Sequence, residues 1–306
     1  MSLAAGTPSS HREGQTFDGA SRLVRYVNFV KLPHTVFALP FALVGVTLAS
    51  AVSPVTPRLL AWVVLAFTTA RFTAMGFNRI VDRRFDARNP RTAMRELPSG
   101  AMTVQEAWAL VIGAAALFEV AAWRINPLCL ALSPAALALV CFYSFTKRFT
   151  RWSHLVLGLG MGIAPAGGYL ATTGHWSDPW WLLPSLSLAV MTWGGGFDVM
   201  YALQDVAFDR EHGLFSLPAM VGERTAIVVA RALHALTIVL LAAAGIGAGG
   251  GWLFGAGVAA VLALLVYEHS LVSADDLSRL DAAFFTMNGV ISIVFFLFVL
   301  ADRFMR

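Results

Sequence analysis

Long apolar runs separated by short polar loops dominate this chain. A helix crossing a bilayer needs roughly 17–25 apolar residues. Such runs occupy residues 34–52, 58–77, 104–123, 126–145, 154–173, 180–197, 225–247, 251–271 and 282–302. The pattern predicts an all-α integral membrane protein with nine transmembrane helices around a central cavity. Residues 124–127 and 247–251 are short connectors, so the helices they join are expected to be antiparallel neighbours. Pro40, Pro134, Pro165 and Pro184 fall within runs, where membrane helices accommodate proline as a kink. The first 30 residues are polar and rich in Gly and Ser, without the apolar stretch of a signal peptide. They read as a flexible cytoplasmic tail, 1–30, leading into a single domain over 31–306.

Composition excludes the soluble classes. The chain is 58% hydrophobic and 13% charged, against roughly 45–50% and 25% for ordinary soluble domains, and 306 residues cannot hide that excess in a soluble core. Basic residues are unevenly placed. Arg12, Arg22, Arg25, Lys31, the run from Arg79 to Arg95, Lys147, Arg148, Arg151, Arg210, Arg224 and Arg279 share one side of a nine-helix arrangement. Arg58, Arg124, Arg303 and Arg306 take the other, and Arg71 and Arg231 lie inside spans. The positive-inside rule makes the richer side cytoplasmic. The net charge of +4 is therefore a topology signal, and no nucleic-acid partner is expected. Cys129 and Cys141 lie in one apolar stretch and read as core residues.

Two acidic stretches stand out against this background and resemble each other. One is Asn78-Arg-Ile-Val-Asp82-Arg-Arg-Phe-Asp86, followed by Arg95-Glu-Leu-Pro98. The other is Asp198-Val-Met-Tyr201-Ala-Leu-Gln-Asp205-Val-Ala-Phe-Asp209, followed by Leu217-Pro218. At 100° per residue, spacings of four, seven, eight and eleven fall on one helical stripe. Asn78, Asp82 and Asp86 should share one face, and Asp198, Asp205 and Asp209 another. Like charges about 6 Å apart repel by roughly 3 kcal/mol at an effective dielectric of 20. Converging carboxylates therefore call for a cation between them. Magnesium suits oxygen ligands and binds through one or two carboxylates plus substrate phosphates. Solvated helix ends with Asp–Arg pairs are the bland alternative, and the repetition counts against it.

Basic groups accompany the stripes. Tyr143-x-x-x-Lys147-Arg148 closes the fourth span on the same side, reading either as a phosphate site or as a positive-inside anchor with an interfacial Tyr. Arg83 and Arg84 are either phosphate contacts or surface charges. Arg71 lies two turns deeper than Asn78 on the same face, inside the membrane, where an Arg usually faces a bundle interior or a wet cavity. It can hold an acidic head group of a substrate or pair with one of the Asp. Lys31 and His34 stand at the mouth of the first span, lining the same cavity or, for Lys31, snorkelling. His154, His175, His234 and His269 show no ligand spacing and receive no role. Phe72, Phe77, Trp193, Phe197 and Tyr201 are candidate cavity walls. Gly194-Gly195-Gly196 allows a close helix approach or a local break.

Together, Asn78-x-x-x-Asp82-x-x-x-Asp86, Tyr143-x-x-x-Lys147 and Asp198-x-x-Tyr201-x-x-x-Asp205-x-x-x-Asp209 resemble the signatures of the UbiA superfamily of intramembrane aromatic prenyltransferases. The likeness covers residues 30–303. Lys31-Leu-Pro-His-Thr-Val-Phe-Ala-Leu-Pro40 and Asn89-Pro-Arg-Thr-Ala-Met-Arg-Glu-Leu-Pro98 resemble the 4-hydroxybenzoate polyprenyltransferase-like branch, closest to its menaquinone members of the futalosine pathway. The resemblance implies a multi-pass protein of a bacterial-type inner membrane and Mg2+ as cofactor. It also implies a polyprenyl diphosphate donor and an aromatic acid acceptor such as 4-hydroxybenzoate or 1,4-dihydroxy-6-naphthoate. Many relatives carry Arg-Pro-Leu-Pro where this chain has Arg95-Glu96-Leu97-Pro98, which favours the menaquinone type.

On that reading Asn78, Asp82, Asp86, Asp198, Asp205 and Asp209 hold metal. Arg71, Asn78, Arg83, Tyr143, Lys147, Arg148, Tyr201, Lys31 and His34 bind substrate. Lys147 and Arg71 assist the reaction, and Asp198 serves as proton acceptor or as a further member of the metal network. A secondary transporter with an acidic cation site, or another membrane transferase of diphosphate-activated substrates, is the alternative. A CDP-alcohol phosphotransferase would carry an Asp-Gly followed by Ala-Arg, which is missing here.

Overall fold

The structure is a computed structural model that describes residues 21–30, 35–274, 276–280 and 286–306. Among them the chain is all-helical apart from one isolated bridge between Ser273 and Asp276. The helices are α1 (Arg22–Phe29), α2 (Thr35–Ala49), α3 (Pro57–Asp86), α4 (Val104–Ile125), α5 (Pro127–Thr146), α6 (Ser153–Thr173) and α7 (Leu182–Tyr201). A 3-10 turn at Ala202–Asp205 leads to α8 (Val206–Glu211), α9 (Leu217–Val221), α10 (Glu223–Gly247), α11 (Trp252–Ser270) and α12 (Asn288–Phe304). Seven of these segments are long and apolar enough to cross a membrane, and Ala38–Ala49 is a shorter apolar helix.

Successive long helices pack beside one another, and α12 returns to α2, closing a ring. The helix α7 is buried on nearly all sides between α6 and α10. Its sequence explains this: glycines and small side chains let neighbours approach closely, as membrane packing requires. A Cβ on Gly158 of α6 would stand 2.1 Å from the Met191 carbonyl oxygen, and one on Gly162 2.4 Å from that of Ser187. The same device joins α2 to α6, where Gly45 faces the carbonyl of Pro165. The Gly194–Gly196 run lies in an unbroken helix, with Gly194 close to Met161 and Gly158, so close approach is the outcome. Gly158→Ala is expected to destabilise the protein by about 1–3 kcal/mol, because a backbone carbonyl cannot rotate out of the way as a side chain can. Thermal unfolding in detergent measures it; an unchanged midpoint would show that α6 and α7 can separate freely.

Local signals set the helix ends. Thr103 and Glu106 form a capping box at α4. Asn126 caps α5 by accepting from Cys129 N–H at 2.8 Å, ahead of Pro127 at the first turn. Pro184 stands in the first turn of α7 rather than mid-span. Residues 22–29, read from the sequence as the end of a flexible tail, form a helix. Phe29 and Val30 supply the reason, packing with Ile80, Met102, Ala107 and Val111.

The 30 residues of α3 run about 45 Å, some 15 Å more than a hydrocarbon core. Its last turns, which carry Asn78, Asp82 and Asp86, therefore have the length to reach the membrane boundary.

Candidate active site

The two acidic stretches share one cavity. Asn78, Asp82, Asp86, Tyr143, Lys147, Arg148, Asp198, Tyr201, Asp205 and Asp209 all line it, together with Asn89, Arg91, Arg95 and His154. The first stretch keeps the expected stripe on α3, where Asn78 Nδ2 donates to Asp82 Oδ2 at 2.9 Å. The second does not form a single α-helix. The 3-10 turn at Ala202–Asp205 intervenes, so Asp198 belongs to α7 and Asp209 to α8. Both, with Asp205, still line the hollow.

Four of the carboxylates are held by cations. Arg148 Nη2 lies 3.0 Å from Asp82 Oδ1, Arg95 Nη1 2.8 Å from Asp86 Oδ1, and Lys147 Nζ 2.9 Å from Asp209 Oδ1. Asp205 is gripped from two sides on the loop after α3: Arg91 donates through Nε at 3.1 Å and Nη2 at 2.6 Å, and Asn89 Nδ2 at 3.0 Å. Arg91 also donates to the Tyr201 hydroxyl at 3.1 Å and lies over its ring. Thus the 87–103 loop, which follows the first stretch, clamps the second. Asp198 differs. Its partner is His154, whose Nδ1 is 2.7 Å from Oδ2.

Several expected residues stand elsewhere. Arg83 is not among the cavity residues; it turns back to donate to the Ile80 carbonyl at 2.8 Å. Arg71, seven residues before Asn78, shares its face about 10 Å deeper along the helix; its Nε is buried without a hydrogen-bond partner among the described residues. Trp193 and Phe197 belong to the hydrophobic core with Phe41 rather than to the cavity wall. Phe77 packs edge-on against Trp108 and Phe145. Lys31 and His34 lie outside the described residues.

The sequence reading assigned no role to Asn89, Arg91, Arg95 or His154. Asn89 and Arg91 reach Asp205 across more than a hundred residues, a pairing no local spacing reveals. His154 had one available signal: it follows Lys147 by seven residues, at the start of a span that begins on the same side.

A fit to a divalent cation can be tested on the donors themselves. They are carboxylate oxygens, the hard donors that Mg2+ prefers. Asp86 Oδ2 and both oxygens of Asp209 are buried without a hydrogen bond, and Asp209 is fully buried with its ion pair to Lys147. Among the described residues no three such side chains converge closely enough to chelate an ion by themselves. That arrangement suits an ion that takes one or two carboxylates and completes its shell with phosphate oxygens and water.

Known proteins place this architecture in a defined class. Residues 38–290 match the UbiA prenyltransferase family. A 4-hydroxybenzoate octaprenyltransferase from Aromatoleum aromaticum is 33% identical over 76% of this chain and 79% of its own length. One from Citrobacter koseri is 30% identical over 80% and 84%. The apo structure of a UbiA homolog from Aeropyrum pernix superposes with a TM-score of 0.80 at 32% identity, covering 88% of this chain and 98% of that one. A UbiA homolog from Archaeoglobus fulgidus bound to GPP and Mg2+ shares the fold, with a TM-score of 0.72 at 21% identity over 91% and 99%. The fold and site thus define an intramembrane transferase. The chain belongs to the UbiA prenyltransferase family and is an integral membrane enzyme.

Proposed function

We infer that the protein transfers a polyprenyl group from a polyprenyl diphosphate to an aromatic acid, with release of diphosphate and dependence on Mg2+. One observation carries the reading: two acidic stretches over a hundred residues apart meet in one hollow, each carboxylate cluster interleaved with Arg and Lys. The curated relatives, named for 4-hydroxybenzoate, support an acceptor of that kind. The Asn89–Pro98 segment supports the 1,4-dihydroxy-6-naphthoate type of menaquinone biosynthesis. A transporter needs no such pairing of basic and acidic groups at one level.

In this reading the domain is a single nine-helix unit over 31–306, with the cavity on the cytoplasmic side and the lipid tail of the donor leaving towards the bilayer. When bound, Mg2+ would supply positive charge to the diphosphate oxygens, and Asn78, Asp82, Asp86, Asp205 and Asp209 are the residues that would hold it. Lys147, Arg148, Arg91 and Arg95 line the same hollow and bind the diphosphate. Fixed cations stabilise the charge that develops on the leaving oxygen better than water does, since they need not reorganise. Tyr143 and Tyr201 lie beside them to orient the head group. With both substrates filling the hollow, water is displaced, so that the allylic cation meets the acceptor ring rather than being captured as an alcohol. Asp198, the carboxylate without a cationic partner among the described residues, accepts the ring proton.

Arg71 faces the same side two turns deeper and holds the acceptor's carboxylate through charge-assisted hydrogen bonds. Arg71→Ala should raise KM for the aromatic acid by about 10–100-fold, equivalent to roughly 1.4–2.8 kcal/mol, with less change for the diphosphate. Unchanged KM values for both substrates would make Arg71 a structural residue. The reading as a whole is tested by incubating the purified protein with Mg2+, a polyprenyl diphosphate and a panel of aromatic acids, then identifying products by mass. Solute flux in proteoliposomes without any prenylated product would favour the transporter.

A further inference from the structure

His154 lies outside both acidic stretches, yet it touches both parts of the second. It is buried in the first turn of α6. Its Nδ1 is 2.7 Å from Asp198 Oδ2, and its Nε2 is 3.2 Å from the Leu217 backbone nitrogen at the start of α9. A backbone N–H can only donate, so Nε2 must present its lone pair. The imidazole is then neutral, with its single proton on Nδ1 directed at Asp198. One ring thereby fixes three elements: the start of α6, the end of α7 and the segment after the second stretch.

We propose that His154 is the positioning residue for Asp198, locking one carboxylate oxygen so that the group presents itself to the acceptor ring. This rests on the transfer reaction and on Asp198 as the proton acceptor. The partner chemistry separates Asp198 from its neighbours. Asp82, Asp86, Asp205 and Asp209 each face an Arg or Lys. Asp198 faces a neutral donor and keeps 18% of its side chain exposed while lining the cavity. A neutral donor orients a carboxylate without neutralising it.

In the reaction, the bond between the prenyl C1 and the diphosphate oxygen breaks, its electron pair leaving with diphosphate. A ring carbon bonds to C1, and the ring C–H proton passes to the Asp198 carboxylate, restoring aromaticity. His154 keeps its own proton throughout. Its contribution is geometric, and a carboxylate free to rotate would accept the proton more slowly.

The test uses the full-length protein with geranyl diphosphate and 4-hydroxybenzoate or 1,4-dihydroxy-6-naphthoate. His154→Phe, which fills the space without a donor, should lower kcat by about 30–100-fold with little change in KM for the diphosphate, a loss confined to the chemical step. His154→Asn brings an amide nitrogen near the Nδ1 position and should recover most of that loss. Acceptor deuterated at the reacting carbon should show a primary isotope effect in His154→Phe that the wild type lacks, because proton removal has become slow. Nitrogen-15 spectra of the histidine-labelled protein give a readout independent of turnover. They should show a neutral Nδ1–H imidazole that is missing in His154→Phe and shifted in Asp198→Asn.

A wild-type His154 protonated on Nε2 would overturn the proposal. So would His154→Asn no better than His154→Phe with no isotope effect in either, or a fully active His154→Phe. A wild-type enzyme that forms no prenylated product would overturn the proposed function and this inference together, whereas the preceding outcomes count against His154 alone.

Discussion

Asp205→Ala is expected to lower kcat/KM for prenyl transfer by about 10³-fold or more, a loss near 4 kcal/mol of transition-state stabilisation. Two effects combine. The substitution removes an oxygen ligand from the cavity that would hold the cation, and it removes one of the anchors of the 87–103 loop. In the folded protein Asp205 accepts from Asn89, Arg91 Nε and Arg91 Nη2, so the alanine variant releases an arginine that should meet the diphosphate. Asp205→Asn separates the two effects. Its amide oxygen still accepts from Arg91, but it brings no charge to a metal. If charge is what matters, Asp205→Asn is nearly as inactive as Asp205→Ala and added Mg2+ does not restore either. Asp82→Ala should behave alike, since Asp82 lines the same cavity and pairs with Arg148. Product formation by mass, with thermal unfolding to confirm a folded protein, decides the matter. Near-normal turnover in both Asp82→Ala and Asp205→Ala would remove the diphosphate-site assignment.

The helices were legible because hydrocarbon thickness writes itself into the chain as apolar runs, and the described helices α2 to α7 and α10 to α12 overlap the runs read from the sequence. The first acidic stretch was legible in full, since Asn78, Asp82 and Asp86 lie on one regular helix. The second was legible in composition but not in geometry. Its spacing satisfies a helical stripe, yet α7 gives way to a 3-10 turn at Ala202, so shared lining of the cavity survives while the continuous stripe does not. Pairings across the bundle were not legible at all. Nothing local to Asn89-Pro-Arg91 indicates that its side chains close on Asp205, and nothing local to His154 points to Asp198. Those contacts depend on which helix ends the ring of helices brings together, which is a tertiary fact. Arg83 shows the converse error. It sits in the acidic stretch, about 100° round the helix from Asp82, and ends on a backbone carbonyl instead of in the cavity.

Glu96→Ala should prove destabilising, by about 1–3 kcal/mol, because it takes the paired carboxylate away from a buried guanidinium. Arg79 and Glu96 form an ion pair at 2.7 Å with side chains 3% and 9% exposed. Arg79 is not among the residues that line the cavity; it lies over the ring of Phe29 of α1, at 5.8 Å. This gives a physical reason for Glu96, the residue that departs from the Arg-Pro-Leu-Pro pattern. It ties the 87–103 loop to Arg79 of α3, while Arg91 and Arg95 of the same loop reach the cavity carboxylates.

Burying two charges has its own desolvation cost, so replacing both with apolar groups of similar size is far less harmful than removing one. The double substitution Arg79→Met with Glu96→Leu should therefore recover most of the stability that Glu96→Ala loses. Thermal unfolding of wild type, single and double variants in one detergent measures this directly. A double variant as unstable as Glu96→Ala would mean that the ion pair itself, rather than the cost of burying an arginine without this carboxylate, holds the loop. In the expected case the double variant is stable yet binds the diphosphate less well, since an apolar contact fixes the loop's position less sharply than a buried ion pair and leaves Arg91 and Arg95 less well aimed.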